Sequence, residues 1–70
     1  MKIIDVTWSD SKIYFDQLPK DEEFDNATMH SVGFLISEDK RTIVIARDLV
    51  DEDDCRGIIA IPKVNIISRK

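Results

Sequence analysis

The feature that most constrains this chain is an alternation near its start. Ile4, Val6 and Trp8 are apolar, and Asp5, Thr7 and Ser9 beside them are polar. Successive side chains of a strand point to opposite faces, whereas apolar positions on a helix recur every three or four residues. The stretch therefore reads as a half-buried strand. Asp10 and Ser11 bring turn chemistry, because their side chains hydrogen-bond nearby backbone. Ile13, Tyr14 and Phe15 form a brief apolar continuation, followed by a polar stretch from Gln17 to Glu23. Pro19 suits an early helix position and the acids after it oppose the dipole charge, so one short helical turn is expected near residues 18–24.

Four more strands follow. The second runs from about Thr28 to Ser37, with Val32, Phe34 and Ile36 on one face and Gly33 at its middle. A glycine there marks a bulge, a sharp bend or a close backbone approach, and a bent second strand lets one small sheet curl into a barrel. Glu38 to Arg41 is a compact polar turn, and Thr42 to Ala46 a β-branched third strand completing a hairpin. Asp48 to Gly57 contains the run Asp51, Glu52, Asp53 and Asp54 and is expected as a solvated loop. Ile58 to Ile61 forms strand four, Pro62 halts it, and Asn65 to Arg69 forms strand five after one tight turn.

The chain has 70 residues, enough for one domain with a small core. Reinforcement by a disulfide is excluded within the chain, since Cys55 is its one cysteine. A lone thiol and no basic-then-apolar leader pattern make the cytoplasm the expected location, with no membrane association. Net charge is −4 and the pI about 4.7, which opposes nonspecific attraction to phosphate. The distribution is uneven. Residues 1–35 hold seven acids and three lysines, residues 36–70 seven of each sign, and from Arg56 onward there are four bases and no acid. Arg47, Lys63, Arg69 and Lys70, with Lys40 and Arg41, are the phosphate contacts if the ligand is a nucleic acid.

A strand, a proline-broken turn and a short last strand reading Ile61-Pro62-Lys63 then Ile66 resembles the way SH3-like and Sm-like barrels end. Almost end to end, the chain is similar to small phage and prophage proteins of unknown function. The matching points are Trp8-Ser9-Asp10-Ser11, Ser31-Val32-Gly33-Phe34-Leu35, Ile61-Pro62-Lys63 and Ile66. The resemblance implies a mostly β chain forming a single five-stranded SH3-like barrel over residues 1–70, with a phage-associated accessory role. It transfers no catalytic residues.

No residue set specifies catalysis. His30 is the one histidine and has no metal-ligand or triad partner at a recognisable spacing. Cys55 follows four acids, which disfavour its thiolate, and reads as an inert loop cysteine. Asp51 to Asp54 fails the calcium-loop spacing, because Cys55 falls at the fifth position and Pro62 at the twelfth. No enzyme, cofactor or metal is therefore expected. Recognition residues are sought among Trp8, Tyr14 and Phe15, since aromatics dominate interfaces. Trp8 lies in phase with Ile4 and Val6, which favours the core for it. The expected function is non-enzymatic binding to a copy of itself and to another protein. Two alternatives are an Sm-like nucleic-acid binder and a counter-defence inhibitor. The inhibitor would use Asp51, Glu52, Asp53 and Asp54 to imitate phosphates, or would sequester a nucleotide.

Overall fold

The computed structural model describes residues 1–11, 15, 17–23 and 26–70. Five strands are present: β1 (Ile3–Asp10), β2 (Ala27–Glu38), β3 (Thr42–Val50), β4 (Asp54–Pro62) and β5 (Ile66–Arg69), with a 3₁₀ turn at Lys63–Asn65. They form one antiparallel sheet in the order β4-β3-β2-β1-β5. The described residues include no α-helix.

The alternation in β1 has the consequence its period requires. Ile4, Val6 and Trp8 are buried on the inner face and pack with Ile43 and Ile45 of β3 and Ile61 of β4; Leu35, Ile59 and Ile66 close around them. β1, β3 and β4 are not all neighbours in the sheet, so their side chains meet only because the sheet bends over this face. Part of the bend lies in β2, where Leu35 faces Ile45 but Ser37 faces Val44, leaving a bulge at Ile36. Gly33 is the close approach: a Cβ there would lie 2.7 Å from the Ala46 carbonyl oxygen. Trp8 is a core residue, 7% exposed, and its Nε1 donates to Ser31 Oγ at 3.0 Å.

Two expectations are corrected. Asp48 to Gly57 is not a loop: β3 and β4 stay paired through Asp48↔Arg56, Leu49↔Cys55 and Val50↔Asp54, so only residues 51–53 turn. An acidic run excludes burial but not pairing, and a two-stranded ribbon solvated on both faces keeps every carboxylate in water. Asp51 sits at φ 56 in the turn, a region that aspartate tolerates better than most residues. Cys55 is accordingly a strand residue, and Gly57, at φ 69 with Arg47 Cβ 2.8 Å from where its own Cβ would be, is part of β4. The second correction concerns residues 18–23 of the expected helical turn near 18–24, residue 24 lying outside the described residues. Glu22 N–H donates to Pro19 O at 3.1 Å, closing a single β-turn in place of a helical turn.

At the opposite end of β3, Asp39 Oδ1 accepts from the N–H groups of Arg41 and Thr42, both at 2.8 Å, and fixes the β2–β3 turn. These bonds hold the Asp39 carboxyl below the usual aspartate range. The ladder continues past Thr42↔Pro62, because Lys63 N–H donates to Arg41 O at 2.7 Å.

Candidate functional site

Register places a second apolar set on the other face of the sheet. Residues directly opposite in an antiparallel ladder point the same way. Ile3 faces Phe34, Phe34 faces Ala46, and Ala46 faces Ile58. One apolar row therefore crosses β1, β2, β3 and β4 on the outside, with Val32 beside it. Ala46 is fully buried yet lies outside the inner cluster, as expected for a small residue covered by the larger members of its own row. Ile3, Val32 and Ile58 are 60%, 57% and 56% exposed. A single exposed aliphatic residue needs no explanation, but an apolar row that crosses four paired strands is a candidate interaction surface.

Charged pairs border this row. Asp5, opposite Val32, contacts His30 through its Oδ1 and the ring Nε2. Asp48 Oδ2 accepts from Arg56 Nε at 3.1 Å and from Arg47 Nε at 3.3 Å. The Arg56 bond is the main cause that lowers the Asp48 carboxyl below its ordinary range, although partial desolvation works against it.

A second polar cluster lies where β2 ends. Glu38 receives Arg69 in a bidentate pair, Nη1 to Oε2 at 2.9 Å and Nη2 to Oε1 at 3.1 Å, and Lys63 Nζ at 2.8 Å. The Arg69 and Lys63 hydrogen bonds lower its carboxyl to about 2, and Glu38 in turn raises Arg69. Glu38 thus ties the end of β2 to β5 and to the turn that follows β4.

The residues singled out in the sequence are dispersed. Trp8 is in the core, Phe15 is 92% exposed and outside the core cluster, and Tyr14 lies outside the described residues. Asp51, Glu52 and Asp53 form the exposed tip of the β3–β4 ribbon and Asp54 begins β4. β2 accompanies β3 only as far as Phe34↔Ala46, so this acidic tip projects beyond the rest of the sheet. Of the six candidate phosphate contacts, Arg47 is paired with Asp48, and Lys63 and Arg69 with Glu38. Lys70 has no ion pair among the described residues; its backbone bonds to Asp5 in both directions.

The outer row escaped the reading of the residues, although a signal for it existed. Val32-Gly33-Phe34-Leu35-Ile36 and Ile58-Ile59-Ala60-Ile61 are apolar at consecutive positions. Such runs occur where both faces of a strand are covered.

Among the described residues there is no cavity, no group of three or more His, Cys, Asp and Glu side chains arranged to hold a metal, and no helix long and apolar enough to cross a membrane. Comparison of the chain with protein-family models, with curated proteins and with solved structures finds no match.

Proposed function

We propose that this chain is a non-enzymatic protein-binding β domain that docks on another protein through its outer apolar row, in the setting of a phage or prophage accessory protein acting in the cytoplasm. The observation that carries the reading is the exposed set Ile3, Val32 and Ile58 on a paired, bordered sheet face. The proposal includes an SH3-like barrel that is partly open, with the β4 edge left unpaired among the described residues. It is supported by the strand order, by a core drawn jointly from β1, β3 and β4, and by the Glu38 bridge to Lys63, just after β4, and to Arg69 of β5. Pairing of Arg47, Lys63 and Arg69 with carboxylates lowers the weight of a nucleic-acid reading, because phosphate contacts there would have to displace those carboxylates.

The test is site-specific photocrosslinking in the host cell, with the reactive side chain placed at position 32, at position 15, or at position 52. A crosslinked partner is expected from position 32 and lost on Ile3→Asp, a substitution on the same row. Equal labelling from all three positions, or a partner retained by Ile3→Asp, refutes docking through this face.

A further inference from the structure

The backbone of β4 points toward a specific partner. Lys63 N–H bonds to Arg41 O, so Arg41 and Lys63 form a hydrogen-bonded pair. Such pairs alternate along an antiparallel ladder. Counting along the register, Ile61, Ile59 and Cys55 turn their backbone groups to β3, whereas Ala60, Ile58, Arg56 and Asp54 turn theirs to the free edge; Gly57, at φ 69, has no partner in the register. No described strand pairs with that edge. It carries no lysine, and its one proline, Pro62, is the last residue. Edges that stay unpaired are commonly blunted by such residues or kept short, and this one is nine residues long.

Charge identifies what fits it. The β3–β4 hairpin is acidic at its tip, with Asp51, Glu52, Asp53 and Asp54. At its base Lys40 and Arg41 have no ion pair among the described residues and outnumber Asp39, while Lys63 is held by Glu38. Two hairpins laid side by side in opposite directions set each acidic tip against the other's basic base. Laid in the same direction, they set like against like.

We infer that the β4 edge is a self-association site, where β4 of a second copy of this chain pairs antiparallel about a two-fold axis through Ile58. Ile58 is the midpoint of β4, so this register overlaps the strands from end to end. It matches Ile58 with its counterpart and Arg56 with Ala60. Asp54 meets Pro62, so the missing proline N–H falls at the end of the ladder. No like charges face each other, and the result is a closed isologous dimer. The two outer rows then lie on one continuous face, Ile3–Phe34–Ala46–Ile58 followed by its two-fold repeat. The inference rests on the reading of this protein as a binding domain and supplies its oligomeric state.

The experiment is sedimentation analysis of the full chain at physiological salt, joined to single-cysteine crosslinking in a Cys55→Ser background with a short bismaleimide. A dimer is expected, and Ile58→Cys crosslinks to dimer in high yield while Lys40→Cys does not. Reversing the tip (Asp51→Lys, Glu52→Lys, Asp53→Lys) weakens dimerisation roughly tenfold, the sum of a few exposed charge pairs. Adding Lys40→Glu and Arg41→Glu restores much of it, a rescue that misfolding does not produce. A monomer overturns the inference. So does a larger ring, which requires a head-to-tail contact, or a dimer that Ile58→Cys fails to crosslink. Partner capture from position 32 is read separately, so a monomer that still captures its partner leaves the proposed function standing and removes only the dimer.

Discussion

Ile45 and Ala46 are adjacent in β3, both buried, and for different reasons. Ile45 faces inward into a core assembled from several strands, whereas Ala46 faces outward and is covered by its own row. The inner face derives stability from packing among side chains that reach one another only because the sheet bends. The outer face is apolar without that convergence, and Ile3, Val32 and Ile58 on it keep more than half of their surface in water. Hydrophobicity alone therefore does not separate a core from an exposed apolar face in a single-sheet protein. Curvature does, because it decides which face has partners.

The strongest way to break this comparison is to truncate one residue from each face. Ile43→Ala removes a fully buried side chain and is expected to cost about 2–5 kcal/mol, a large share of a small domain's stability, by urea unfolding. If it costs no more than an outer-row change, the inner face is not the core. Gly33→Ala tests the bend. Its Cβ meets the Ala46 carbonyl oxygen, a backbone atom that moves only with β3, and a loss of about 1–3 kcal/mol is expected in the same measurement.

Acid sharpens the comparison at the rim. Glu38 has a folded-state carboxyl at about 2 against an ordinary value of 4.5, so its proton binds more tightly in the unfolded chain. Its stabilising contribution is fully present above about pH 4.5 and is lost as pH falls toward 2. Unfolding midpoints recorded across that window are expected to fall less steeply for Glu38→Gln than for the parent; parallel slopes would mean that the Arg69 and Lys63 contacts contribute nothing. The smallest effect belongs to the outer row. Val32→Thr is expected to shift stability by no more than about 0.5 kcal/mol, while Ile3→Asp abolishes partner crosslinking. A large stability loss at Val32 would place it in the core.

The first strand was legible because its two faces differ in polarity, and Trp8 fell in the core as its phase with Ile4 and Val6 required. β2 was located with Val32, Phe34 and Ile36 placed on one face, and β4 was located, but neither was assigned a buried face, since runs such as Ile58 to Ile61 carry no alternation by which to choose one. The ribbon from Asp48 to Gly57 was hidden because solvated strands and solvated loops share a composition. What separates them is cross-strand register, which depends on a partner segment. The outer row had the same cause: Ile3, Phe34, Ala46 and Ile58 come from four strands, and only their alignment makes them one feature.

The pairing of β1 with β5 has a consequence in time. Trp8 faces Ile66 and Val6 faces Arg69, contacts that span nearly the whole chain, whereas β2, β3 and β4 follow one another through short turns. Closing a long loop is slow compared with closing a hairpin, so the meander of β2, β3 and β4 is set to form early and β5 to dock after the rate-limiting barrier. Weakening β5 should then leave the refolding rate nearly unchanged and hasten unfolding. The lifetime of the folded molecule is thus governed by its shortest strand.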